Sequence, residues 1–178
     1  MHLPSFLSGL EDWMRLAESQ AMQITEAFLK VDHWSGLLLN ILIIGVIPAL
    51  GEELLFRGVI QKELFSRNGK IHLSIWITAF LFSAMHLQFL GFIPRFLIGG
   101  LLGYLFYWSG SIWLPILAHF VNNAGAVILS YFINQQSISI EVEHLGTEDG
   151  QLSMLVIALL GLLMLVYLLK TISKPQST

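Results

Sequence analysis

Six polar residues inside apolar stretches carry the chemistry that this sequence can do. They are Glu52, Glu53, Arg57, His86, His119 and Asn123. A charged residue at bilayer depth costs roughly 2.5–3.5 kcal/mol on insertion scales, so such residues normally face the interior of a helix bundle and mark function. Carboxylate, imidazole and amide groups together can transfer a proton, activate water or bind a metal ion.

Four of these residues form two pairs with helical spacing. Glu53 and Arg57 are four residues apart, as are His119 and Asn123, so each pair shares one face of a helix. Glu52 is turned by about 100° from Glu53 on a helix of 3.6 residues per turn. We therefore expect Arg57 to hold Glu53 while Glu52 points into a cavity, so that the two acids need not both be charged in one pocket.

The elements that must position these residues are apolar helices. Of the 178 residues, 55% are hydrophobic and 12% are charged, and the mean hydropathy is +0.72. Soluble domains carry about 25% charged residues, so this chain lacks the polar surface of a soluble protein and needs lipid around it. The net charge of −3 gives no basic field for nucleic acid, and the absence of cysteine excludes disulfides, a thiol nucleophile and cysteine metal ligands.

The apolar runs predict an all-α fold, a polytopic transmembrane helix bundle with about five spans. The spans are expected at about 34–64, with a kink at Pro48, and at 72–89, 92–108, 112–133 and 152–169. Apolar residues three and four apart over 10–29 predict an N-terminal amphipathic helix on the membrane surface or against other helices. We thus expect three parts: an amphipathic segment (1–33) preceded by further spans in a longer parent, a helical domain (34–170) and a polar tail (171–178).

Helix rise places the polar residues of three spans at overlapping depths. Glu52 lies 12 residues before the end of the first span and His86 lies 14 residues after the start of the second, which is roughly 18 and 21 Å at 1.5 Å per residue. His119 and Asn123 lie 7 and 11 residues into the fourth span, roughly 10 and 16 Å. The sequence therefore predicts one site inside the bundle.

Basic residues predict the orientation. Lys62, Arg67 and Lys70 follow the first span, Lys170 and Lys174 follow the fifth, and the acidic loop before the fifth span falls on the opposite side. The positive-inside rule then puts the basic side in the cytoplasm. We expect an integral membrane protein of the bacterial inner membrane.

Three short motifs resemble those of the CPBP intramembrane protease family, which includes CaaX-processing endopeptidases, Ras-converting enzymes and bacteriocin-immunity or Abi proteins. The matches are Glu52-Glu53-Leu54-Leu55-Phe56-Arg57 to EExxxR, Phe82-Ser83-Ala84-Met85-His86 to FxxxH, and His119-Phe120-Val121-Asn122-Asn123 to HxxxN. The resemblance covers about residues 34–133. One such motif alone is weak evidence, but three in order on separate apolar spans are specific.

The resemblance implies an intramembrane endopeptidase that hydrolyses a peptide bond with a glutamate-activated water. It implies that Glu52 is the general base, assisted by His86, and that His119 and Asn123 stabilise the oxyanion. Glu53 and Arg57 are expected to support the site. The partners expected are the lipid bilayer and a peptide or protein substrate that enters from the membrane or the cytoplasmic side.

Three alternatives stay open at this stage. Glu52, His86 and His119 could bind zinc with one open position, but the HExxH pattern is missing, so no cofactor is favoured and zinc is the alternative. A non-catalytic immunity or scaffold protein of the same family would keep the motifs without using them. A proton-coupled carrier would use intramembrane Glu and His as a relay, although Asn123 and Phe82 have no obvious part in one.

Overall fold

The computed structural model describes residues 4–89 and 91–135, and over these ranges every regular element is a helix. A short 3-10 turn, Ser5–Leu7, leads into α1 (Ser8–Leu29), which is followed by α2 (Trp34–Asn68), α3 (Ile71–Met85), α4 (Phe92–Ser109) and α5 (Trp113–Asn134). The all-α prediction is confirmed. The expected fifth span and polar tail lie outside the described residues.

Two of these helices, α2 and α5, are long and apolar enough to cross a membrane. The 35 residues of α2 make a helix of roughly 52 Å, well beyond the ~30 Å of a bilayer core. By contrast α3 has 15 residues, roughly 22 Å, and is too short to cross alone. The predicted count of five spans therefore stays a prediction.

Two π-helical segments interrupt α2 on either side of the adjacent glutamates. The segment Ile41–Val46 precedes a stretch of α-helix, Ile47–Glu53, and the segment Leu54–Gln61 follows it. A kink was expected at Pro48, which occupies the first turn of that central stretch. Short π-helical segments inside α-helices are frequent at functional sites, because they shift side chains and free backbone groups.

Glycines let α4 pack closely on α3 and α2, because they carry no side chain that would hold the helices apart. A Cβ at Gly99 would lie 3.1 Å from the Phe82 ring, and one at Gly100 would lie 2.6 Å from the Trp76 ring. A Cβ at Gly103 would meet Ile75 at 2.9 Å. This close approach brings the start of α4 against the end of α3, where His86 follows the last helical turn.

The amphipathic helix α1 lies against the bundle with no residue fully buried. Its Trp13 packs edge to face on Phe89, with ring centroids 5.6 Å apart, and Oε2 of Glu18 accepts the Phe89 N–H at 2.6 Å. Near its other end, the carbonyl of Phe28 accepts a hydrogen bond from the Asn40 amide. Thus α1 contacts both the segment that follows α3 and the first part of α2.

Candidate active site

A buried ion pair anchors the centre of the site. Nη1 of Arg57 lies 2.9 Å from Oε1 of Glu53, and both side chains are fully buried. Nη2 of the same arginine donates to the carbonyl of Gly99 at 2.8 Å, and its guanidinium carbon lies 4.8 Å from the centre of the Phe82 ring. The pairing of Glu53 with Arg57 is as the sequence indicated, and it ties α2 to α3 and α4.

Glu53 also orients His119, which the spacing argument did not foresee. Nδ1 of His119 lies 2.9 Å from the same Oε1 that Arg57 contacts. An ionised carboxylate only accepts hydrogen bonds, so Nδ1 carries the hydrogen. In neutral His119 the Nε2 lone pair then faces the opposite direction, as in carboxylate-oriented imidazoles at other sites.

Glu52 points away from Glu53 and towards both imidazoles. Its Oε2 lies 3.9 Å from Nε2 of His86 and 3.9 Å from Nε2 of His119. The His86 ring is fixed in turn, because its Nδ1 lies 2.8 Å from the carbonyl oxygen of Phe82. A carbonyl only accepts, so Nδ1 of His86 also carries the hydrogen and Nε2 faces Glu52 as an acceptor.

Three acceptors therefore converge on one small volume: the carboxylate oxygen of Glu52 and the two imidazole nitrogens of His86 and His119. A separation of 3.9 Å is too long for a direct hydrogen bond and suits a single water between the groups. A water has two hydrogens to donate, so it can satisfy two of these acceptors at once. The arrangement is that of a site that positions and deprotonates a water.

The backbone of α2 holds Asn123. Pro48 has no N–H and so cannot donate to the carbonyl of Ile44, four residues earlier. The side-chain Nδ2 of Asn123 donates to that carbonyl at 3.0 Å instead. Its Oδ1 accepts from Nδ2 of Asn122 at 3.1 Å, so the amide orientation is fixed and the second Nδ2 hydrogen stays available.

A cavity of about 320 Å³ adjoins these groups, between the end of α3, the beginning of α4 and the middle of α5. Its lining includes both histidines and Asn123, together with Asn122. The residues that line it are Phe82, His86, Gly91, Pro94, Arg95, Ile98, His119, Asn122 and Asn123. The cavity thus gives a ligand access to both imidazoles and to the asparagine amide.

The oxygen and nitrogen donors of Glu52, His86 and His119 are spaced more widely than the ligands of one zinc ion. Ligands of one tetrahedral zinc, each about 2.0–2.1 Å from the metal, lie roughly 3.3 Å apart. Glu52 is 3.9 Å from each histidine, and over residues 4–89 and 91–135 no three His, Asp or Glu side chains are grouped closely enough to hold an ion. The residues do not fit zinc in this arrangement.

A family comparison covers the segment that contains all of these residues. Residues 34–125 match the family model for type II CAAX prenyl endopeptidase Rce1-like proteins, just over half of the chain. The chain belongs to this family. It is a CAAX-protease-like membrane protein, which confirms the resemblance drawn from the three motifs.

A relative of known sequence is similar over a comparable length. The uncharacterized protein YpbD of Bacillus subtilis (strain 168) is 33% identical over 89 residues, which cover 48% of this chain and 42% of the relative. The chain thus spans less than half of that relative's length. No solved structure matches.

Two buried residues near the site, one polar and one aromatic, were given no role in the sequence-based reasoning. Gln61 is 2% exposed, and its Nε2 donates to the carbonyl of Gly103 at 3.0 Å. It lies four residues after Arg57 in the sequence, on the same face, and this spacing was the signal that could have found it. Phe82 is the second: its ring lies 5.2 Å from that of His86 and 5.8 Å from that of His119, so it packs between the two.

Proposed function

We propose that this protein is an intramembrane endopeptidase in which Glu52 activates a water for attack on a peptide carbonyl. One observation carries the proposal: Oε2 of Glu52 faces Nε2 of both His86 and His119 at 3.9 Å, beside a cavity lined by both rings. These three acceptors surround a volume that suits one water, and Glu52 supplies the general base that hydrolysis needs.

The role of each side chain depends on which of its donors and acceptors are not already used in hydrogen bonds. Glu52 takes a proton from the water while Nε2 of His86 accepts the other hydrogen and orients the attack. The proton on Glu52 then passes to the leaving amine, so the reaction ends with the carboxylate restored. One uncommitted Nδ2 hydrogen of Asn123 can donate to the developing oxyanion, a contribution of about 10²–10³ in rate for one donor.

The oxyanion role of His119 depends on its protonation. Its Nδ1 hydrogen is committed to Glu53, so neutral His119 offers only a lone pair at Nε2. It can donate to an oxyanion from Nε2 only when it carries a second proton, and Glu53 holds the ring through Nδ1, as the aspartate holds the histidine of a catalytic triad. Glu53 thus acts through His119, while Arg57 balances the negative charge of Glu53.

We also propose an inner-membrane location in a bacterium, with the Asn68 end of α2 in the cytoplasm. Lys62, Arg67 and Lys70 at this end support that orientation under the positive-inside rule. The substrate is a peptide or protein segment that reaches the cavity from the membrane or the cytoplasm.

Peptidase assays on the full chain in detergent test the proposal. We expect cleavage of a randomised peptide library by the parent, and at least a 10³-fold loss with Glu52→Gln, which keeps the shape but removes the base. Arg67→Gln, on the exposed face of α2 and paired with Glu63, serves as the matched control and keeps full activity. If Glu52→Gln cleaves as fast as the parent, or the parent cleaves nothing, the proposal fails and a non-catalytic role is favoured.

A further inference from the structure

His86 lies just beyond the end of a helix, where the backbone is poorly held by its own element. The last α-helical residue of α3 is Met85, and the His86 N–H donates to the carbonyl of Ser83 at 3.3 Å, which is long for a backbone hydrogen bond. Leu87 follows with a φ of 53°, a left-handed conformation that is uncommon for a residue other than glycine. Because helix ends fray, an imidazole that must orient a water from this position needs support from outside α3.

The helix α1 supplies such support to the turn formed by residues 86–89. Oε2 of Glu18 accepts the Phe89 N–H at 2.6 Å, and the Phe89 ring packs edge to face on Trp13. The bond is charge-assisted, which makes it roughly twice as strong as a bond between neutral groups. Two contacts from α1 thus hold the residue three positions after His86.

The same turn is also fixed from α4. Nη2 of Arg95 donates to Oε1 of Gln88, and Glu18 is near enough to Arg95 for their opposite charges to attract. Helices α1 and α4 therefore hold the turn together. The match to the family begins at residue 34, so the contribution of α1 comes from a part of the chain that lies before the matched segment.

We propose that Glu18 is a positioning residue for peptide hydrolysis, which keeps Nε2 of His86 facing Glu52 through its hydrogen bond to the Phe89 N–H. This inference rests on the proposed peptidase function and extends its machinery to α1. The 3.9 Å between Nε2 of His86 and Oε2 of Glu52 suits one water. A displacement of about 1 Å at a reacting group can lower a rate by about 10²-fold, so a loosened turn is expected to slow the attack without removing any group that touches the water.

Three variants of α1 test this role in peptidase assays on the full chain in detergent. Glu18→Ala removes the acceptor, and we expect kcat to fall by about 10- to 100-fold while KM changes by less than about twofold, because orientation of the attack is lost rather than substrate binding. Glu18→Gln keeps an oxygen that accepts the Phe89 N–H, so its kcat is expected within about threefold of the parent value. Glu26→Ala, which removes the same charge from an exposed pair with Lys30 on α1, keeps the parent kcat.

The outcomes separate this inference from the proposed function, since each is read against a parent protein that cleaves peptides. A Glu18→Gln protein as slow as Glu18→Ala would assign the effect to the charge of Glu18 acting on Arg95, and would overturn the hydrogen-bond role. A parent rate in Glu18→Ala, or a loss confined to KM, would overturn it as well, while the peptidase assignment stands.

Histidine NMR decides the inference even if no peptide is cleaved. The chain has six histidines, and labelling them with ¹⁵N gives ring signals that His86→Gln and His119→Gln assign by loss of a signal. We expect Glu18→Ala to shift the ring signals of His86 and to leave those of His119, which Glu53 holds; Glu18→Gln should return the His86 signals close to their parent positions. Unchanged His86 signals in Glu18→Ala, or equal shifts of both rings, contradict the proposal without reference to turnover.

Discussion

Two ion pairs on α2, one buried and one exposed, allow the effect of replacing Glu53 with glutamine to be compared with that of the same change at Glu63. Glu53–Arg57 and Glu63–Arg67 are both pairs four residues apart in α2, with atom separations of 2.9 and 2.6 Å. The side chains of the first pair are 0% exposed and those of the second 57% and 76% exposed. The two pairs thus share their sequence spacing and have similar contact distances, while their solvation differs.

The expected magnitudes follow from that difference. Glu53→Gln removes the carboxylate that the buried Arg57 guanidinium contacts directly, and removing one partner of a buried pair costs about 3–5 kcal/mol. Glu63→Gln breaks a surface pair worth about 0–1 kcal/mol. We therefore expect the two variants to differ by at least 2 kcal/mol in the free energy of unfolding, measured by circular dichroism in mixed micelles.

A double variant separates stability from chemistry. Replacing both partners by apolar residues, Glu53→Leu with Arg57→Met, removes the uncompensated charge and should restore most of the lost stability. It also removes the carboxylate that orients His119, so we expect peptidase activity to stay at least 10²-fold below the parent. Equal stabilities for Glu53→Gln and Glu63→Gln, or full activity in the double variant, would refute the reasoning about this pair.

Three further outcomes follow from the packing and the site. Gly100→Ala places a methyl group 2.6 Å from the Trp76 ring and should lower stability by about 1–3 kcal/mol, whereas Gly125→Ala, which meets nothing within 4 Å, should be neutral or stabilising in the same melting experiment. Pro48→Ala restores an N–H that competes for the carbonyl held by Asn123, so initial-rate assays should show a loss of several-fold with an unchanged melting temperature; unchanged rates would contradict the role of the proline. Peptidase activity should survive prolonged dialysis against a chelator in protein shown by elemental analysis to lack zinc, and reactivation by added zinc alone would reverse that conclusion.

Much of the fold could be predicted because the apolar runs are long and sharply bounded. The helix expected over 92–108 is observed as Phe92–Ser109, and the one expected over 112–133 as Trp113–Asn134. The second span was expected to reach residue 89, but α3 ends at Met85. The chain leaves the right-handed helix at Leu87, whose φ of 53° lies in the left-handed region. Hydrophobicity alone does not mark that boundary, since the residues after it are also apolar.

The candidate site was only partly predictable. The four-residue spacing found the Glu53–Arg57 pair, and the depth argument correctly brought Glu52, His86 and His119 together. The contact between Glu53 and His119 could not be predicted, because it joins two helices whose relative rotation depends on tertiary packing. The hydrogen bond from Asn123 to the carbonyl of Ile44 likewise joins two helices, so it depends on how α5 packs on α2.

The most direct test of the water-activation account is a single turnover of peptide hydrolysis in water enriched in ¹⁸O. If Glu52 deprotonates a water that attacks the carbonyl, the new carboxyl group of the first product carries one ¹⁸O atom, and Glu52→Gln forms no product on the same timescale. A first product that contains only ¹⁶O would show that the carboxylate itself attacked and gave up its oxygen. That result, or an active Glu52→Gln protein, would contradict the proposed role of Glu52.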